Sequence, residues 1–130
     1  MALVLIGVLS IIAIPRFAVV RDRLAVDRAA QEVAMFYYQA RQAAIMRVTR
    51  VRIEFHRDSL RAVYEGDVDS TFLVRPGPAL HGADLTASRS VIRLYANGIG
   101  LGAANTKLVL RRGDATATLT TSRLGRLKRW

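Results

Sequence analysis

A chain of 130 residues with twenty Lys and Arg against ten Asp and Glu carries a net charge of +10 and contains no cysteine. That composition excludes a disulfide framework, thiolate metal ligation and thiol catalysis. The length suits one domain, and the charge argues for solubility and non-specific association rather than for one particular partner.

The charge is unevenly placed. Residues 1–70 hold ten basic and eight acidic side chains, whereas residues 71–130 hold ten basic ones and only Asp84 and Asp114. All the basic residues except Lys107 and Lys128 are Arg, which suits bidentate contact with phosphate or carboxylate. GC-rich coding produces the same bias.

The chain opens on MALVLIGVLSIIAIP, Met1 to Pro15, with Ser10 as its one polar side chain and no charge before Arg16. A helix that is apolar all round has no face to present to water and belongs in lipid, in a bundle or in a core. At about 1.5 Å per residue it covers roughly 22 Å, short of the ~30 Å hydrocarbon layer. Beyond Pro15 the pattern turns amphipathic without a turn signal. Val26, Ala30, Val33, Tyr37, Ala40, Ala44 and Val48 recur at three- and four-residue steps, with Ala29, Phe36 and Ala43 widening the stripe. The spacing predicts one helix from Met1 to about Arg47, kinked at Pro15.

At Val51 the period becomes two. Val51, Ile53 and Phe55 share one face of a predicted strand, residues 56–59 form its turn, and Leu60 to Tyr64 form its partner. Residues 68–90, with Pro76, Gly77, Pro78 and Gly82, read as a long irregular connection holding a short strand at Thr71 to Val74. Val91 to Tyr95 and Lys107 to Arg111 are strands on either side of NGIGLG. Gly113 and Asp114 turn into the alternating ATATLTT, and Arg126 to Trp130 is a last short strand or a tail. The fold class is therefore α+β, a long kinked helix whose amphipathic half lies on an antiparallel sheet.

An apolar run with Gly7 eight residues before the proline of IAIP, continued by an amphipathic helix and a strand-rich domain, resembles the type IV pilins and type II secretion pseudopilins. Within that group, AMFYYQARQAAIMRVTRVRIEF (Ala34 to Phe55) and TLTTSRLGRLKRW (Thr118 to Trp130) are similar to the helix-to-strand passage and final strands of GspH/FimT-like minor pilins. The resemblance implies a non-enzymatic minor pilin or pseudopilin, a subunit of a type II secretion pseudopilus or type IV pilus, placed at the tip or active in starting assembly. It implies residues 1–20 as the membrane and fibre-core half of the helix, with Gly7, Ile11, Ile12, Ile14 and Pro15 carrying that role. Residues 21–130 become a pilin-like domain in the periplasm, with an amphipathic helix over 21–48 and a β-rich part over 51–130. Its partners would be other pilin subunits, inner-membrane lipid and a prepilin peptidase, with methylation of the processed terminus.

The family's basic leader, its glycine before a phenylalanine and the glutamate that follows are not found ahead of Met1. Alignment on Gly7 and Pro15 places that phenylalanine about seven residues upstream, so the expectation is a late start or a shortened chain. Seven more residues bring the run to roughly 33 Å, enough to span. Arg16, Arg21 and Arg23 follow the run with nothing basic before it, and taken alone would place the domain in the cytoplasm. A peripheral membrane domain outside any fibre is the third reading.

Nothing in the sequence makes a convincing catalyst, and neither cofactor nor metal is expected. His56 and His81 sit beside turn signals as exposed loop residues, outside any metal-ligand spacing. Asp67 and Asp69 lack the further oxygen ligands of a calcium loop, and Gly98, Gly100 and Ala103 satisfy a loose GxGxxA with no helix after it. Arg112, Gly113 and Asp114 spell an adhesion tripeptide that turn geometry explains. The basic end is different. Arg123, Arg126, Lys128 and Arg129 with Trp130 combine phosphate-pairing cations and a stacking ring. The alternative function is thus a DNA-binding minor pilin of a competence pilus using that tail, against a charged edge strand that discourages aggregation.

Overall fold

A computed structural model of the chain describes residues 2–102 and 104–130. One helix, α1 (Ala2–Arg47), contains Pro15 within it and is followed by strands β1 (Arg50–Phe55), β2 (Ser59–Glu65) and β3 (Ser70–Pro76). A 3-10 helix (Pro78–His81) leads to β4 (Asp84–Ala87), β5 (Val91–Leu94), β6 (Thr106–Arg112), β7 (Ala115–Thr121) and β8 (Leu127–Arg129). The fold is α+β with antiparallel strands, as the periodicities predict.

The expected single sheet is in fact two. The first runs β3-β2-β1-β5 and the second β4-β6-β7-β8. They meet at the glycine-rich loop: Leu94 bridges to Gly100, whose N–H donates to the Arg123 carbonyl at 2.6 Å, tying the end of β5 to the β7–β8 turn. Both sheets share one core with the second half of α1. Val26, Ala29, Ala30, Val33, Phe36, Tyr37, Ala40 and Ala44 are buried against Val51, Ile53 and Phe55 of the first sheet and Leu108, Leu110 and Leu119 of the second. Small alanines permit close approach of the helix to the strands, and Phe36 and Tyr37 are the largest fully buried side chains of this core. Each buried aliphatic or aromatic side chain contributes ~1.5–3 kcal/mol, against ~0–1 kcal/mol for an exposed ion pair. Apolar contact therefore seats the helix.

Val48 departs from the predicted stripe. It is exposed, with φ of 50°, because α1 ends there: the Val48 and Thr49 N–H groups donate to the carbonyls of Ile45 and Ala44 and turn the chain into β1. Residues 68–90 are more ordered than expected. Strand β3 extends to Pro76, and β4 pairs along β6 with Leu85 opposite Leu110 and Ala87 opposite Leu108.

Among the described residues, Tyr37 and Thr106 each bury a hydroxyl that has no hydrogen-bond partner. Burial raises the Tyr37 pKa above the ordinary value, an effect the nearby Arg41 cation opposes and Tyr38 adds to.

Candidate functional site

Among the described residues of the first half of α1, none is buried in the core. Val4, Val8, Ile11, Ile14 and Phe17 are all exposed, Ile11 at 73% and Phe17 at 71%. Gly7 and Pro15 are exposed beside them. The side chain of Ile12 lies outside the described residues, as do Met1 and Ala103 of the loose glycine motif. Among the described residues, no helix is long and apolar enough to cross a membrane. The same segment nevertheless exposes an apolar surface that water does not tolerate well, because soluble monomers rarely show large contiguous apolar patches.

The basic end divides between two sides of the second sheet. In β8, Leu127 lies opposite Thr121 and Arg129 opposite Leu119, so these two point toward the helix, while Lys128, opposite Thr120, points out. Arg129 reaches Asp27 on α1 and forms an ion pair there, and the Leu127 carbonyl accepts a hydrogen bond from the Tyr38 hydroxyl at 3.2 Å. Arg129 is thus a clamp between strand and helix, on the side of β8 opposite to Lys128.

Lys128 and Trp130 remain together on the outer face. The Lys128 ammonium lies 3.6 Å from the centre of the Trp130 ring, and the indole N–H donates to Thr120 Oγ1 at 3.0 Å. Arg123 and Arg126 stand in the β7–β8 turn with exposed side chains. Their backbone is pinned: the Arg123 N–H donates to Asn105 Oδ1, and the Arg126 N–H to Ser122 Oγ.

Two cations enter this face that the tail did not announce. Register places Lys107 opposite Thr120, which is opposite Lys128, so two lysines flank one threonine across three strands. Arg111 continues the outer side of β6 opposite Thr116. Lys107, Val109 and Arg111 alternate with the buried Leu108 and Leu110, a signal that assigns their face. Only the strand pairing shows that this face is the one Lys128 and Trp130 share. Asp84, its acidic neighbour on β4, is held by Arg57 at 2.7 Å.

The first sheet's outer face is built differently. Arg52 contacts Glu54 at 3.0 Å, Glu65 at 3.3 Å and Asp69 at 3.0 Å, and Arg93 contacts the same Glu65 at 3.0 Å. Hydrogen bonds to Asp69 and then Glu54 raise the Arg52 pKa, with burial acting against them.

Other sequence candidates resolve into packing. His56 is exposed, but His81 is half-buried, its Nε2 3.0 Å from Glu32 Oε2, because the 3-10 helix packs on α1. Gly98 and Gly125 close around Arg41, whose Nε donates to the Gly98 carbonyl at 3.1 Å; a Cβ on Gly125 would lie 2.4 Å from that carbonyl oxygen. Gly113 and Asp114 form the β6–β7 turn, and Arg112 turns inward to Asp22 at 3.0 Å and the His81 carbonyl at 2.7 Å. Among the described residues, no group of three His, Asp or Glu is placed to hold a metal.

The family model described as Type II transport protein GspH matches residues 29–125, from the buried stripe of α1 to the glycine of the β7–β8 turn. The chain belongs to the GspH family. The fold is similar to that of the type IV minor pilin FimU of Pseudomonas aeruginosa PAO1: in one crystal form the TM-score is 0.69 at 16% identity, over 82% of this chain and 88% of that one. A second crystal form gives 0.66 at 16% identity, over 80% and 91%. No curated protein sequence matches significantly. As a GspH-family chain with a minor-pilin fold, the protein is a structural, non-enzymatic subunit that assembles with other pilin subunits.

Proposed function

We propose that this GspH-family chain is held in the inner membrane by residues 1–20, displays residues 21–130 in the periplasm, and takes its place at the tip of a pilus or pseudopilus or in its initiation. The observation that carries the reading is the asymmetry of α1: Val4, Val8, Ile11, Ile14 and Phe17 are exposed and apolar, while the stripe of Val26, Ala30, Val33, Tyr37, Ala40 and Ala44 is buried on the sheets. Lipid and a bundle of neighbouring helices are about equally apolar, so such a segment passes from one to the other at little cost. Sheet-face chemistry then selects the neighbours.

Ile11→Glu with Ile14→Glu tests the anchor. We expect the chain to leave the membrane fraction and fibres not to form, with the melting temperature of the domain unchanged. Retention and normal assembly of this variant overturn the reading. Gold-labelled antibody tests position: label confined to fibre ends supports the tip, and label along the shaft removes it.

A second reading, a DNA-binding minor pilin of a competence pilus, is favoured by the outer face of the second sheet. Lys107, Arg111 and Lys128 stand with Trp130 among a row of threonines, and Arg123 and Arg126 are exposed in the adjoining β7–β8 turn, a surface that neutralises phosphates and stacks bases without reading sequence. Removing Lys107 and Lys128 together should weaken duplex binding at low salt and reduce the salt slope by about 1.8, at ~0.9 for each phosphate that is no longer neutralised. An unchanged slope rules this reading out.

A further inference from the structure

The base of the domain holds a second cationic feature, apart from the basic sheet face. Phe17 is followed three and four residues on by Val20 and Arg21, these by Leu24 and that by Arg28, all along one side of α1. Across from them, Leu80 on the 3-10 helix and Arg112 on β6 complete an open groove of about 450 Å³. Between these cations and His81 its walls are apolar side chains left exposed, Leu24 at 52% and Leu80 at 65%.

Two of the nearby carboxylates, Asp22 and Asp27, are already engaged by arginines. Asp22 is held by Arg112 at 3.0 Å, Asp27 by Arg129, and Glu32 lies 3.0 Å from His81. Arg21 has only a long contact, 3.8 Å, with Asp22, and its side chain is 58% exposed. Among the described residues, Arg16, Arg23 and Arg28 have no ion pair; Asp114, in the β6–β7 turn, is the remaining carboxylate at this end. Cations therefore collect where the exposed apolar half of the helix begins.

We infer that this groove seats an anionic phospholipid of the membrane surface, its phosphate on Arg21 and Arg28 and its glycerol end against Phe17, Val20 and Leu24. Charge complementarity favours that occupant, and so does continuity: Ile11 and Ile14 carry the apolar surface on below it. Phe17 to Arg21 rise within about 9 Å of Pro15, a headgroup depth, and arginine stems lie along apolar surface while their guanidinium groups seek charge. Such contacts fix how the domain stands on the bilayer before it enters a fibre.

The inference rests on the membrane-anchored reading, and one experiment separates the two. Because the chain has no cysteine, Leu24→Cys in the full chain can carry a single solvent-sensitive fluorophore. The labelled chain is reconstituted into vesicles of phosphatidylcholine alone or of phosphatidylcholine mixed with phosphatidylglycerol. The expected result is flotation with both, a blue shift only where phosphatidylglycerol is present, loss of that shift in Arg21→Gln/Arg28→Gln, and its retention in Arg23→Gln on another side of the helix. Flotation with an equal shift in both vesicles, with no shift in either, or with equal loss in Arg23→Gln overturns the lipid site and leaves the anchor standing. A shift produced by added pilin subunits and not by lipid overturns it in favour of a protein occupant. Failure to float with either vesicle overturns the anchored reading itself, and the site falls with it.

Discussion

The two sheets present outer faces of opposite character. On the first, Arg52 is shared among Glu54, Glu65 and Asp69, and Arg93 adds a second cation to Glu65, so the charges satisfy one another. On the second, Lys107, Arg111 and Lys128 stand among threonines and one tryptophan, and the neighbouring Asp84 is occupied by Arg57. Both faces lie on strands of ordinary alternation over one core. The difference teaches that polar alternation fixes only which side chains point out. Their partners decide whether a face closes on itself or remains available to something outside the chain.

The contrast depends on a joint where the sheets and the helix meet. Gly125 has φ of 81°, and a Cβ there would lie 2.4 Å from the Gly98 carbonyl oxygen and 2.5 Å from Arg41 Nε. Gly125→Val combines left-handed backbone strain with a clash that backbone atoms must absorb. It should cost about 3 kcal/mol or more and disturb both faces at once, read as loss of the cooperative melting transition. A well-folded Gly125→Val with a normal melting temperature would mean that the sheets do not depend on this joint.

Next in size is the first face alone. Arg52→Met keeps much of the stem but leaves three carboxylates without their shared donor, at about 1–3 kcal/mol and a fall of several degrees in melting temperature. Lys107→Met on the second face should stay within about 0.5 kcal/mol of the parent, since no ion pair is broken. Equal melting temperatures for the two variants would erase the distinction between a structural and an available face.

Much of this was legible before the strands were placed. The stripe from Val26 to Ala44 is a helix repeat that packing preserves, and Val51, Ile53 and Phe55 declare their buried side by alternation. Strand β4 was not legible: its four residues include Asp84 and Thr86, and pairing with the distant β6 makes it a strand. The same limit hid the division into two sheets, because no local pattern says that the loop around Gly98 and Gly100 links them. The basic tail was visible as composition only. Arg129 and Lys128 are neighbours in sequence and serve opposite sides, which the pairing of Leu119 with Arg129 decides.

Both faces rest on an interior that can be probed through Tyr37. Its buried hydroxyl holds its proton to a higher pH than in the unfolded chain, so stability from this group is intact below the unfolded value near 10 and falls as pH rises beyond it. The loss approaches about 1.4 kcal/mol per pH unit for a single proton. Tyr37→Phe should remove that alkaline loss and cost little at pH 7, since the hydroxyl has no partner to give up. Paired melts of parent and variant at pH 7 and above pH 10 check this; an unchanged alkaline slope would place the sensitivity elsewhere.

The smallest effect is the most selective, because it divides two adjacent residues of β8. The Arg129–Asp27 pair is about two-fifths exposed on each side, 40% and 42%, so solvent screens it and its contribution is ~0–1 kcal/mol. Arg129→Gln should therefore lower the melting temperature by at most a few degrees, and Asp27→Asn should do the same. Because the two act through one ion pair, the double variant should fall no further than either single one. Lys128→Gln should leave stability unchanged and reduce the salt slope of any duplex binding by about 0.9, a slope that Arg129→Gln leaves alone. If Arg129→Gln lowers the slope as much as Lys128→Gln, the guanidinium leaves Asp27 to meet phosphate, and the basic face extends around the edge of β8 toward the helix.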